Sequence, residues 1–173
     1  MAVLPALDCS PVASPPPPDL TLSPLQGDPR PVEDWVTTFH LVFVAVDPFT
    51  LESAWLLEGA ARVLRNFLGA DCRVAWLVTG DADQARQFLG PLADEFLTFV
   101  DPARTAVRAL GLQELPAFVH LNQALQVEGA AEGWRPDEWR DAAEHLAEMM
   151  RWSRPVVPAV GDPAPYPGSP VAG

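Results

Sequence analysis

The sequence has few cysteines and few histidines. Its two cysteines, Cys9 and Cys72, are far apart in the chain, so they provide neither a disulfide framework nor a cluster of metal ligands. The three histidines, His40, His120 and His145, follow no ligand spacing either. We therefore expect no metal site and no cofactor. Such sparse cysteine usage is also typical of a reducing compartment.

Basic residues are scarce as well. The chain has 11 Lys plus Arg against 23 Asp plus Glu, which gives a formal net charge of -12. This charge argues against nucleic acid or an anionic membrane surface as the main partner. No apolar run approaches the ~20 residues that span a bilayer, and the N-terminus lacks the pattern of a signal peptide. We expect a cytoplasmic protein whose partner is a protein, a peptide or a small neutral ligand, and the oligomeric state stays open.

Proline divides the chain into three parts. Residues 1–30 and 153–173 hold most of the 20 prolines, including the run at 15–18. Such composition buries too little apolar surface to offset the entropy of ordering, and it favours extended polyproline II segments. We predict two disordered tails around one domain at 31–152. The tails serve either as solvated extensions or as docking segments for a partner.

Strand and helix patterns alternate between these tails. The segment His40–Val46 is almost wholly apolar and rich in β-branched residues, which predicts a central parallel strand. Helical spacing follows to about Gly69, and Cys72–Val78 predicts a second buried strand. The remaining predicted elements are a helix at 83–89, a strand at 97–100, a helix at 101–110, an antiparallel hairpin of 117–121 with 124–128, and a helix from Pro136 to Met150. This order predicts an α/β protein with a central mixed sheet flanked by helices.

The order βα-βα-(βα)-ββα, with Leu115-Pro116 entering the hairpin, resembles the thioredoxin-like superfamily. More narrowly, it is similar to the branch of TlpA-type reductases and peroxiredoxins. The resemblance covers about residues 32–152 and is most specific at Asp47-Pro48, at the inserted unit 96–111 and at 115–118. In that superfamily the proline before the hairpin is cis and faces the redox motif. The resemblance therefore implies a cis peptide bond between Leu115 and Pro116.

The cysteines of the family motifs are absent from the junction after the first core strand. Phe49-Thr50-Leu51-Glu52 stands where thioredoxins have Cys-x-x-Cys. When the chain is compared with the peroxiredoxin motif Phe-Thr-x-x-Cys, Thr50 matches the threonine of the family, but Ser53 replaces the peroxidatic cysteine and Val46 replaces the proline. Only a thiolate attacks a disulfide or a peroxide, so neither chemistry is expected. A serine nucleophile would need a general base, and no histidine is adjacent in sequence.

The polar residues of this junction have two interpretations. Asp, Thr, Glu and Ser are favoured at the start of a helix because free backbone N–H groups and the helix dipole stabilise them. The same residues can instead line a cleft that binds an extended peptide, because the superfamily pairs substrate backbone with the segment before the cis proline. The candidate partner-binding cleft consists of Asp47, Pro48, Phe49, Thr50, Glu52, Ser53, Leu115 and Pro116.

Our leading functional hypothesis is a non-catalytic thioredoxin-like protein that acts as an adaptor or chaperone through this cleft and its acidic surface. The stretch Asp47-Pro48-x-Thr50-x-Glu52 is similar to hydrogenase-maturation chaperones, which implies a basic signal peptide as the partner. One alternative is a redox enzyme or sensor with a single thiol, either Cys72 or Cys9. Another is a structural subunit of a larger assembly, in which the proline-rich segments order against neighbouring subunits.

Overall fold

The computed structural model describes residues 13–172, so Cys9 and the rest of residues 1–12 lie outside the described residues. Strands and helices alternate along the described chain. The strands are β1 (Thr21–Pro24), β2 (Arg30–Pro31), β3 (His40–Val46), β4 (Cys72–Val78), β5 (Leu97–Val100), β6 (Glu114–Leu115), β7 (Ala117–Leu121), β8 (Val127–Glu132) and β9 (Ser169–Pro170). The helices are α1 (Val32–Trp35), α2 (Leu51–Asn66), α3 (Ala82–Leu89), α4 (Leu92–Glu95), α5 (Thr105–Ala109) and α6 (Pro136–Met150).

Seven of the strands form one mixed sheet in the order β2-β1-β5-β4-β3-β7-β8. The central strands β3, β4 and β5 are parallel to one another, whereas β1 and β7 run antiparallel to their neighbours. This mixed sheet with helices on both faces confirms the predicted fold class. β6 and β9 form a separate antiparallel pair.

The core lies in two layers, one on each face of the sheet. Alternate residues of β3 point to opposite faces, as the pleat of a strand requires. Val42, Val44 and Val46 pack with α2, α3 and α6 in one layer. Leu41 and Phe43 pack with α1, α5 and the segment that contains β1 in the other. The strand is therefore covered on both faces, which explains its continuous apolar sequence.

Three parallel strands end at the same edge of the sheet, and the hairpin strand β7 begins there. The register pairs Val46 with Val78, Val78 with Val100, and Ala45 with Ala117. We call this side the carboxyl edge, and it carries loops 47–50, 79–81 and 101–104 together with Leu115-Pro116. The side where β3 and β4 begin is the opposite edge.

The second strand of the hairpin differs from the prediction. Residues 124–128 were expected to form it, but β8 runs from Val127 to Glu132. The side chain of Asn122 closes a longer loop because its Oδ1 accepts hydrogen bonds from the backbone N–H groups of Ala124 and Gln126. Leu125 has φ +60, so it leaves the extended conformation that a strand needs.

Both proline-rich segments are packed over their described residues, which differs from the predicted disorder. β1 pairs with β5, and Leu20 and Leu22 are buried. At the other end, β9 pairs with β6, and Val157 and Val171 are buried. The apolar residues between the prolines supply the buried surface, and Pro24 lies beyond the part of β1 that pairs with β2, so it has a strand partner on one side only. The domain limits at 31 and 152 stay a prediction.

Among the described residues, no helix combines the length and the hydropathy that crossing a bilayer requires.

Candidate binding cleft at the carboxyl edge

The structure brings the two predicted halves of the cleft together. Ser169, on β9, lies between them, and its Oγ is 3.3 Å from the Oγ1 of Thr50 and 3.3 Å from the backbone O of Leu115. The peptide bond between Leu115 and Pro116 is cis. The junction after β3 and the segment before β7 therefore lie on either side of Ser169, and we use the name cleft for this candidate site.

Asp47 forms an internal ion pair at the base of this cleft. Its carboxylate is buried, and its Oδ2 accepts a hydrogen bond from Nη2 of Arg104 at 2.7 Å. The other carboxylate oxygen accepts from the backbone N–H of Phe49 at 2.9 Å, which closes the turn into α2. Both oxygens thus have internal partners, so Asp47 holds the junction in place.

Ser53 also has an internal partner. It is fully buried, and its Oγ accepts a hydrogen bond from the backbone N–H of Asp47 at 2.9 Å. The hydroxyl of Thr50 donates to the backbone O of Asp47 at 3.3 Å. Glu52 contributes its backbone O, which accepts a hydrogen bond from the hydroxyl of Tyr166. The hydroxyls of the junction are therefore used in turn and segment contacts, and the Thr50 side chain at the start of α2 makes no capping hydrogen bond, unlike the capping interpretation.

Three large apolar side chains are exposed beside these polar groups. Phe49 is 65%, Leu51 64% and Trp55 55% exposed. Leu51 and Trp55 are four residues apart on α2, so they lie on the same face of the helix. We call these three residues the apolar patch. Contiguous exposed apolar side chains are a recurring feature of the surfaces by which proteins bind partners.

The C-terminal segment of the described chain occupies the cleft. β9 pairs with β6 in antiparallel register, with Leu115 opposite Ser169 and Glu114 opposite Pro170. One residue further on, the backbone N–H of Val171 donates to the O of Gln113 at 2.9 Å. The extended backbone before the cis proline is therefore paired with another strand of the same chain.

Cys72 lies at the opposite edge, at the start of β4. Its register partner on β3 is His40, whereas the cleft lies beyond Val46 at the other end of that strand. Burial, helped by the nearby Asp71 carboxylate, raises the pKa of the Cys72 thiol to about 11. The thiol is therefore protonated at neutral pH and is a poor nucleophile.

The histidines, which have no common spacing in the sequence, meet at this opposite edge. Nδ1 of His40 and Nε2 of His120 are 2.8 Å apart, and Nε2 of His145 is 3.1 Å from Oε2 of Glu128. Burial, and then the neighbouring His40, lowers the pKa of His120 to about 3. Within residues 13–172, no group of three or more His, Cys, Asp or Glu side chains has the geometry to hold a metal ion.

Sequence reasoning missed two contributors to the cleft. Arg104 reaches Asp47 from the loop after β5, in a left-handed conformation with φ 60. The available signal was topological, because this loop follows a third parallel strand and must lie at the same edge as Asp47. The C-terminal segment gave no such signal, since its prolines are equally compatible with a solvated extension.

Comparison with known proteins identifies the fold. No protein-family model and no curated protein matches the chain. A secreted disulfide oxidoreductase of Mycobacterium tuberculosis, homologous to E. coli DsbE, superposes with a TM-score of 0.58 at 14% identity over 75% of this chain and 96% of that chain. The Xanthomonas campestris bacterioferritin comigratory protein is described with alkyl peroxide reduction activity. It superposes with a TM-score of 0.58 at 16% identity, over 79% of this chain and 92% of that chain.

A further solved structure covers nearly all of the chain. It is the hypothetical protein SMc02350 from Sinorhizobium meliloti 1021, with a TM-score of 0.64 at 12% identity over 94% of both chains. Sequence identities this low show a shared fold but do not show a shared activity. The chain has the thioredoxin-like fold of the TlpA, DsbE and peroxiredoxin type, without cysteines at the positions of the redox motifs.

Proposed function

We propose that this thioredoxin-like protein is non-catalytic and binds a protein partner at its carboxyl edge, as an adaptor or chaperone. The observation that carries the proposal is the exposed apolar patch at the place where redox relatives have their thiols. When Phe49-Thr50-Leu51-Glu52 is aligned with the thioredoxin Cys-x-x-Cys motif, Phe49 stands at the first cysteine, and its side chain is 65% exposed.

The chemistry of the junction supports this proposal. Residues 47–53 contain no cysteine. The Ser53 hydroxyl, which the alternative alignment with the peroxiredoxin motif sets at the peroxidatic cysteine, accepts a hydrogen bond from the backbone and is fully buried. An activated nucleophile instead needs a general base within hydrogen-bond reach and access to its substrate. The junction is built to hold its own backbone, which leaves its apolar rim for binding.

The composition of the patch supports a protein as the partner. Aromatic side chains are enriched at the centres of protein interfaces, because they bury a large area at a small cost in rotamer entropy. Trp55 and Phe49 supply two such side chains, and Glu52 lies between them in sequence, in the first turn of α2. With a formal net charge of -12, the surface favours a partner that carries basic residues around an apolar contact.

The single-thiol alternative has less support. Cys72 has a raised pKa and lies at the edge away from the cleft, and Cys9 lies outside the described residues. We propose a cytoplasmic location on the cysteine usage of the chain alone. The similar Mycobacterium tuberculosis protein is secreted, so the fold gives no argument for either location.

The proposal is tested by affinity capture from the native host, followed by binding measurements with the purified partner. The test variant is Phe49→Ser with Trp55→Ser, which removes the aromatic rings from the patch. The matched control is Leu68→Ser with Val160→Ser, which removes two exposed apolar side chains elsewhere, 44% and 106% exposed. We expect a partner that binds the wild type and the control equally but binds the patch variant at least tenfold more weakly. Equal binding to all three proteins would refute the proposal.

A further inference from the structure

The segment 163–171, which we call the C-terminal strap, is held by backbone hydrogen bonds at two sites. At its start, the N–H and O of Trp134 pair with the O and N–H of Tyr166 at 2.9 and 3.0 Å. The indole N–H of Trp134 also donates to the O of Pro163 at 2.8 Å. At its end, the strap is paired with β6 at Leu115. It therefore runs from Trp134, which follows β8, to the segment before the cis proline, where it forms the two-residue strand β9.

Side chains from both sides of the cleft also contact the strap. From the α2 side, the backbone O of Glu52 accepts from the Tyr166 hydroxyl, and the rings of Trp55 and Tyr166 meet edge to face at 5.5 Å. From the loop after β5, Nη1 of Arg104 donates to the backbone O of Val171. The strap thus touches the apolar patch and the base of the cleft at once.

The closest approach between the strap and the cleft requires glycine. A Cβ on Gly168 would lie 2.7 Å from the backbone O of Leu115 and 2.8 Å from Cβ of Glu114. Across the contact, a Cβ on Gly133 would lie 2.7 Å from the N of Gly168, and Gly133 has φ +66. Real Cβ atoms do not approach other atoms this closely. The cleft therefore fits an extended backbone that has no side chain at this one position.

The strap is fitted closely but buried little. Only Ser169 and Val171 of residues 163–172 are buried. Four of these residues are prolines, which donate no backbone hydrogen bond. Segments with few buried apolar contacts open at a small fraction of the global free energy of unfolding. The strap is thus the part of the cleft most easily removed.

When the strap leaves, the cleft loses its hydrogen-bond partners. β9 is the strand partner of β6 within the described residues, and the O of Gln113 accepts from the strap alone in that region. Backbone polar groups that are cut off from water need a partner. An extended peptide satisfies them by strand addition, with its own N–H and C=O groups.

We propose that the C-terminal strap is a built-in occupant of the partner cleft, and that the partner is an extended peptide that displaces it. This proposal rests on the proposed function. The strap defines the chemistry of that peptide, which has a glycine against the Leu115 carbonyl, a small hydroxyl residue next to it, and flanking prolines. An aromatic residue two positions before the glycine contacts Trp55. The strap therefore competes with the partner for the cleft and weakens its binding to the wild type.

Two variants of the full chain release the strap by different means. Gly168→Val places side-chain atoms against the Leu115 backbone, and Val171→Asp places a charge where a buried valine lies. The matched control is Val160→Ser, at an exposed position outside the strap. Hydrogen exchange at the amides of Tyr166 and Val171, both hydrogen-bonded while the strap is in place, reports release.

The probe is a fluorescent synthetic peptide with the sequence of residues 163–172, measured by anisotropy, and its counterpart with valine in place of glycine is the control peptide. We expect faster exchange and at least tenfold tighter binding of the probe in both release variants than in the wild type and Val160→Ser. The control peptide binds none of them. A strap tethered to the cleft competes at a local concentration in the mM range, which sets the size of this difference.

Three results would overturn the proposal. Exchange that stays slow in both variants would mean that these contacts do not hold the strap. Fast exchange with equal probe binding in all proteins would mean that the strap does not compete for the cleft. Dimers whose amount rises with protein concentration in the wild type would mean that the strap belongs to the cleft of a second copy.

The proposed function fails by different results. If the release variants bind the probe tightly but no host protein depends on the apolar patch, the strap proposal stands and the proposed function falls. If a host partner depends on the patch but binds the release variants and the wild type equally, the proposed function stands and the strap proposal falls.

Discussion

The two edges of the central sheet hold different kinds of side chain. The opposite edge has the Cys72 thiol, whose pKa is raised, and the buried His120, whose pKa is lowered. The carboxyl edge has a buried ion pair, hydroxyls used in turns, and exposed aromatic rings. Perturbed pKa values occur at both edges, because burial, helped by Glu52, also raises the pKa of Tyr166 beside Trp55. A perturbed pKa alone therefore does not distinguish the candidate cleft from the opposite edge.

The first prediction tests the buried ion pair of the carboxyl edge by removing the charge of Asp47. We expect Asp47→Asn to lower the free energy of unfolding by about 3 kcal/mol, because it leaves the guanidinium of Arg104 without its carboxylate in a largely buried site. Urea denaturation measures the change. The control is Asp83→Asn, whose partner Arg86 is 3.7 Å away on the exposed surface, and it should leave the midpoint unchanged. Equal shifts in both variants would contradict an anchoring role for Asp47.

The second prediction concerns the opposite edge and pH. The pKa of His120 is about 3 when folded and near 6.5 when unfolded, so between these values only the unfolded chain takes up the proton. The contribution of the neutral His120 to the free energy of unfolding is fully present above about pH 6.5. It decreases as the pH falls, by about 2 kcal/mol at pH 5. The charged and titratable groups that face His120 are His40, Glu128 and His145.

Urea denaturation at pH 7 and pH 5 tests this linkage with two variants. His120→Leu should remove most of the difference between the two pH values. His145→Gln, which changes a partly exposed ring nearby, should keep it. A pH dependence that survives in His120→Leu would show that other groups cause it.

The third prediction concerns the thiol. In a Cys9→Ser background, Cys72 should react with a disulfide reagent at pH 7 at least about tenfold more slowly in the native protein than after unfolding. The reason is that burial raises its pKa from 9.0 to about 11, so the thiolate is about 100-fold less populated. Native reactivity as fast as in the unfolded chain would restore the single-thiol alternative.

Much of the fold could be predicted from the sequence. β3, β4 and β5 have the predicted bounds because their apolar runs are continuous and are bounded by turn residues. The predicted start of β8 was wrong because the hydrogen bonds of one side chain, Asn122, lengthen the preceding loop. A local pattern does not contain such a contact.

The candidate site was predictable only in part. The family resemblance located Asp47–Ser53 and Leu115-Pro116, but the partner of Asp47 is Arg104, 57 positions away in sequence. The strap was missed because the proline content of a segment indicates only the entropy cost of ordering it. It does not show which surface of the domain the segment packs against. Gly168 and Tyr166 acquire their roles from that surface.

The central claim is that the carboxyl edge binds and does not catalyse. The most direct measurement is turnover by the pure full-length protein, with insulin disulfide reduction and hydroperoxide consumption assayed beside an authentic thioredoxin and an authentic peroxiredoxin. We predict no turnover above that of the buffer, because residues 47–53 contain no thiol and the Cys72 thiol is protonated at the opposite edge. Turnover at rates that match either enzyme would contradict the claim.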